Sequence, residues 1–228
     1  MRERIHDFLT KPIVIALVIL ISAVLTHFTG GLGYFFGMIA ALMVLWSGRF
    51  KWIEFGISRP RWIKSILVAI ALAISIFIIV DILIQPLIEL KFGAIDLSSF
   101  DGIRGNYINF LVFILFMWVV AGIGEEFLYR GFFMKQFARI LGDTNKGWLF
   151  SAIAMSILFG MAHLYQGMSG MISTGLVSLC LSLIFYKNRN NLILNMFVHG
   201  FYDMIGISLI FINKERIFTD WIQAFLIQ

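Results

Sequence analysis

The sequence predicts an all-α, polytopic membrane protein: a bundle of about seven transmembrane helices followed by an apolar C-terminal tail. Three observations carry this. Of 228 residues, 60% are apolar and 14% charged, against about 45–50% and about 25% in ordinary soluble domains. Long uncharged runs alternate with short basic segments. A single cysteine, Cys180, excludes an internal disulfide and any cysteine-built metal cluster. Together these exclude a soluble enzyme, a disordered chain and a secreted disulfide scaffold. At about 20 residues per span, the length admits seven or eight spans and no second, soluble domain.

Charge gaps place the helices in order. Pro12 to Ser47 carries no Asp, Glu, Lys or Arg and is too long for one span. The break at Gly30, Gly31 and Gly33 divides it into helices over 12–28 and 34–48. A third helix runs from Ser65 to about Leu90 and contains Asp81 and Pro86. A fourth begins near Tyr107 and runs into Glu125-Glu126 after 18 uncharged residues. Gly147 to Tyr186 is again uncharged, and Gln166 to Gly170 splits it into a fifth and a sixth helix. A seventh spans about 192–212. The tail, 217–228, is apolar but too short to cross, so it is expected at the interface or against the bundle. Residues 1–106 read as one membrane region with three helices, and 107–228 as a second that carries the remaining spans.

Basic residues set the orientation. Arg2, Arg4, Lys11, Arg49, Lys51, Arg59, Arg61, Lys64, Lys135, Arg139, Lys146, Lys187 and Arg189 fall on one side; Lys91, Arg104, Lys214 and Arg216 fall on the other. This asymmetry predicts a cytoplasmic N-terminus in an integral protein of the cell membrane. It also accounts for the net charge of +5 without a nucleic-acid partner. Trp46, Trp52, Trp62 and Trp148 flank span ends and read as an aromatic belt.

An ionisable residue at the centre of a span costs about 2.5–3.5 kcal/mol on insertion scales, so such residues mark function. Three clusters stand out. In the fourth helix, Glu126 and Arg130 are four apart and share a face, whereas Glu125 points about 100° away. One carboxylate is thus neutralised while the other faces elsewhere. In the fifth, Phe159 shares a face with His163 and is placed to buttress its ring. In the seventh, His199 and Asp203 share a face, so Asp203 can fix the tautomer of His199 or point at a substrate or metal. Helical rise puts Glu125 about 15 Å from Lys135 and His199 about 10 Å from Leu192, but His163 about 24 Å from Gly147. His163 is therefore expected at a different depth from its partners. Asp81 is expected to approach the outer interface with Gln85 and Glu89, with a polar lining role as the alternative.

A glutamate and two histidines support two chemistries. Zinc accepts two histidines and a carboxylate and lowers the pKa of its bound water. Without a metal, a desolvated glutamate acts as general base on water while imidazoles stabilise the oxyanion. No cofactor is required; zinc is the one the set admits, through Glu125, His163 and His199.

Glu125-Glu126-x-x-x-Arg130, Phe159-x-x-x-His163 and His199-x-x-x-Asp203, in this order on separate spans, resemble the CAAX-protease and bacteriocin-processing (CPBP, or Abi) family of intramembrane endopeptidases. The resemblance covers roughly 107–212. It implies an endopeptidase open towards the cytoplasm, with Glu125 activating water and His163 holding it. His199 and Asp203 would bind or polarise the scissile carbonyl, and Glu126 and Arg130 would be the orienting pair. The family's third motif often ends in Asn, which can donate to an oxyanion; ionised Asp203 cannot. The implied partner is a membrane-associated peptide or protein, of CAAX or bacteriocin-processing type, met in the lipid bilayer. Two other functions fit the same residues: a proton-coupled transporter, and a non-catalytic immunity or scaffold protein.

Overall fold

A computed structural model describes residues 1–59 and 62–226. Arg61, counted above for orientation, and the end of the tail lie outside the described residues. The helices are α1 (Arg2–Leu9), α2 (Pro12–Thr29), α3 (Gly31–Ser47), α4 (Trp62–Phe92), α5 (Tyr107–Ile140), α6 (Asn145–Ala162), α7 (Gly167–Lys187), α8 (Leu192–Phe211) and α9 (Ile217–Leu226). Among the described residues there is no strand. The helices α2, α4, α5, α7 with its preceding turn, and α8 are long and apolar enough to cross a membrane. The other two expected spans fall at the margin: α3 has only 17 residues, and α6, with 18, stands outside that set. The chain is an integral membrane protein with an all-α bundle, and side chains such as Leu20, Leu67, Leu115 and Ile157 face outward.

The α2–α3 turn is tighter than expected. Gly30 alone makes it, with φ +62°, and Gly33 already lies inside α3. A Cβ on Gly33 would fall 2.1 Å from Thr26 Oγ1 and 2.2 Å from the Ser22 carbonyl, so the small residue is what lets the two helices meet. In α4 the turns widen to π geometry over Phe77–Ile84, just before Pro86, whose ring and missing N–H disturb the preceding turn. In α5 the same widening covers Trp118–Met134, the segment that holds Glu125, Glu126 and Arg130. Wide turns of this kind recur at functional sites.

Glycine also sets the α6–α7 contact. A Cβ on Gly160 would sit 2.6 Å from the Met171 carbonyl oxygen and 3.0 Å from Gly175 Cα. Gly160→Val must push two backbones apart, and overpacking of this kind costs about 1–3 kcal/mol. The variant is expected to unfold in detergent at a clearly lower temperature than the wild type; an unchanged midpoint would contradict this packing.

The bundle has two distinct ends. At one, the Asp96 N–H donates to the Gln166 carbonyl, Ser169 Oγ to the Gly93 carbonyl, and the Gly105 N–H to the Phe211 carbonyl. At the other, His6 meets Ser47, Arg49 pairs with Glu3, Ser58 donates to the Asn190 carbonyl and Arg189 to Asn145. The N-terminus belongs to this second end. Trp52 and Trp62 are exposed, as an interfacial belt requires, but Trp148 is buried. Its Nε1 donates to Asp143, and Arg189 lies over its ring at 4.5 Å. It is a core anchor instead.

Candidate active site

The wide-turn segment of α5 puts adjacent carboxylates in different surroundings. Glu126 is fully buried. Its Oε1 accepts from Arg130 Nη1 at 2.7 Å and lies 2.9 Å from His199 Nδ1, and its Oε2 accepts from Asn195 Nδ2 at 3.3 Å. Arg130, also fully buried, donates through Nη2 to both the carbonyl and the hydroxyl of Ser178, and through Nε to Ser182. Its guanidinium stands 5.1 Å from the centre of the Phe159 ring. Buried charges need this degree of satisfaction. Glu125, by contrast, borders a cavity and has His199 Nε2 at 4.0 Å.

His199 connects the two acids. Its Nδ1 faces Glu126, while its Nε2 faces Glu125 and, at 3.5 Å, Asp203. The i,i+4 spacing pointed to Asp203 as the group orienting this ring. The structure gives that place to Glu126, from a different helix, and puts Asp203 on the reacting edge. His163 ends α6, and its Nδ1 lies 2.9 Å from the Phe159 carbonyl. A carbonyl only accepts, so Nδ1 carries the hydrogen and Nε2 offers a lone pair to the cavity. Phe159 packs between the imidazoles, its ring centre 4.8 Å from His163 and 6.2 Å from His199. The depth mismatch expected from helical rise does not keep His163 apart from its partners: it lines the same cavity as Glu125 and His199.

Glu125, His163, His199 and Asp203 all line one cavity of about 300 Å³. Its wall continues through Phe113, Phe116 and Met117 to Ile95, Phe100, Gln166 and Glu215. These last residues belong to the end of the bundle opposite the N-terminus. The cavity lining thus reaches the end away from the N-terminus, whereas a cytoplasmic N-terminus with a site open to the cytoplasm would put both at one end. A direct check uses a Cys180→Ser background with single cysteines at Ser98 and Asp7, both exposed and on opposite ends. An impermeant thiol reagent applied to sealed vesicles is expected to label one and spare the other. Labelling of both from the same side would refute the two-ended arrangement.

Sequence reasoning missed Asn195, Ser178 and Ser182, which complete the buried charge network. Asn195 stands one turn before His199, and the serines at 169, 173, 178 and 182 form a stripe on α7; both were visible signals. Of the two readings of Asp81, the structure matches the lining one: it borders the cavity and accepts from Tyr202 Oη at 3.0 Å, while Glu89 is buried and paired with Arg216.

The zinc donor set was Glu125, His163 and His199. Among the described residues, no group of three or more His, Cys, Asp or Glu side chains is arranged to hold a metal ion. Nδ1 of each histidine is hydrogen-bonded, to the Phe159 carbonyl and to Glu126, which leaves Nε2 as the nitrogen that could bind a metal. The donor types suit zinc, but the three are not drawn together as a zinc site needs.

A membrane-embedded bundle with an acid–imidazole cluster lining an open cavity has the makings of a membrane hydrolase. Residues 107–205 match the family model described as Rce1-like, Type II CAAX prenyl endopeptidase Rce1-like, so this part of the chain is similar to that family. No curated protein and no solved structure matches the chain.

Proposed function

We propose that this protein is an intramembrane endopeptidase in which Glu125 activates a water molecule without a metal. The observation that carries the reading is the contrast between the two glutamates. Glu126 is locked by Arg130, His199 and Asn195, while Glu125 faces the cavity beside His199 Nε2. A water at the base of the cavity would donate one hydrogen to Glu125 and the other to the His163 Nε2 lone pair. Glu125 takes the proton as the water oxygen attacks the scissile carbonyl carbon. The imidazolium form of His199, with a carboxylate at each edge, donates Nε2–H to the developing oxyanion, and Asp203 balances its charge. Glu125 then delivers the proton to the leaving nitrogen as the C–N bond breaks. In this scheme an aspartate at 203 is no handicap, because the donor is the ring.

The substrate is a membrane-associated peptide. The family's description names prenylated CAAX ends, and the aromatic wall of Phe100, Phe113 and Phe116 suits an apolar chain entering from the bilayer. The test is incubation of the purified protein with membrane-proximal peptides, read by mass spectrometry. Wild type is expected to cleave and Glu125→Gln not to. Chelators are expected to leave the rate unchanged; loss restored by added zinc would overturn the metal-free scheme.

A further inference from the structure

Asp81 takes no part in the scheme above, and it lies outside the segment that the family model matches. One of its oxygens, Oδ1, is held by Tyr202 Oη. The other, Oδ2, is buried with no hydrogen-bond partner. Ser173 is only 5% exposed, and its Oγ is likewise buried and unpartnered. It sits on α7, which packs against the wide-turn segment carrying Asp81. Glu215 Oε2 is a third such atom, with Oε1 of the same carboxylate taken by Arg104. All three residues line the cavity that reaches Glu125.

Unsatisfied buried polar groups are costly and rare, and those that persist call for a ligand or water to complete them. Ionised carboxylate oxygens only accept, so what completes Asp81 must donate. The charge of the wall says more. Asp81, Glu125, Asp203 and Glu215 line it with His163 and His199, and among the described residues no Lys or Arg does. The two arginines near the mouth are engaged, Arg104 with Asp101 and Glu215, and Arg216 with Glu89 and Asp220. A free C-terminal carboxylate entering this cavity would find no Lys or Arg, and only the His199 ring, already flanked by carboxylates, whereas a cationic side chain would find one unpaired acid.

We propose that Asp81, with Tyr202 orienting it and Ser173 as a neutral acceptor on the adjoining wall, forms a subsite for a lysine or arginine side chain of the substrate close to the scissile bond. This rests on the peptidase reading and narrows it. The substrate is an apolar peptide with a basic residue near the cut, not one gripped by its terminal carboxylate.

The test compares two peptides that differ at one position near the cut, Lys against norleucine. Binding is measured to Glu125→Gln protein, so that turnover plays no part, and cleavage to wild type. The Lys peptide is expected to bind at least about tenfold more tightly, the equivalent of about 1.4 kcal/mol. Adding Asp81→Asn, which keeps an acceptor for Tyr202, should bring the ratio to within about twofold, and Asp81→Glu should keep most of it. Equal binding of the two peptides, or a preference that survives Asp81→Asn, overturns the subsite. Tight, Asp81-dependent binding without cleavage by wild type supports the subsite and overturns the peptidase reading instead.

Discussion

Arg130→Ala is expected to lose a large part of the fold's stability, about 3–5 kcal/mol, the usual cost of orphaning one member of a buried ion pair. Arg130 supplies the only cation salt-bridged to Glu126 other than the His199 ring among the described residues. It also satisfies the Ser178 carbonyl and two serine hydroxyls. Alanine leaves Glu126 charged and fully buried and opens a cavity under Phe159. The measurement is the unfolding midpoint in detergent, with monodispersity by size exclusion. A double variant separates charge burial from site geometry. Glu126→Gln with Arg130→Met removes both charges and is expected to recover most of the midpoint, since an apolar replacement of a buried pair is often neutral. It should remain poor in catalysis, because His199 Nδ1 loses its carboxylate. An Arg130→Ala midpoint equal to that of wild type would mean that the pair carries no such weight.

Much of the fold was legible because lipid forbids what water allows. Charge is excluded from spans, so the gaps between charges located each helix to within a few residues, and α2 and α8 nearly to the residue. Interactions within one helix were also legible: the four-residue spacing of Glu126 and Arg130 is the observed pair, and Phe159 does pack on His163. Contacts between helices were not. Spacing along α8 put Asp203 beside the His199 ring, and it does lie 3.5 Å from Nε2, but the closer carboxylate, at Nδ1, comes from α5. Asn195 and the α7 serines were overlooked because small neutral polar residues are cheap in a membrane helix and do not announce which face they share. Counting rise along a straight helix left Asp81 between the interface and a lining position. The wide turns before Pro86 and the Tyr202 phenol go with the lining one.

Glu125→Gln is expected to lower kcat by roughly 10²–10⁴-fold, the range typical of losing a general base, with a smaller change in KM. The amide has the same shape and fills the same space, so packing survives. Glu125 is also the member of the pair whose only charged neighbour among the described residues, His199 Nε2, stands 4.0 Å away. Its loss should leave the unfolding midpoint close to that of wild type. Glu126→Gln is the necessary contrast. It breaks the Arg130 and His199 contacts together and should lower both stability and kcat. The two variants thus separate a group that reacts from a group that holds its neighbours. Should Glu125→Gln cleave within tenfold of wild type while Glu126→Gln is dead at unchanged stability, the roles are reversed and the water must sit on the buried side of the pair. That side is occupied by Arg130, Asn195, Ser178 and Ser182, none of which lines the cavity that a peptide would enter.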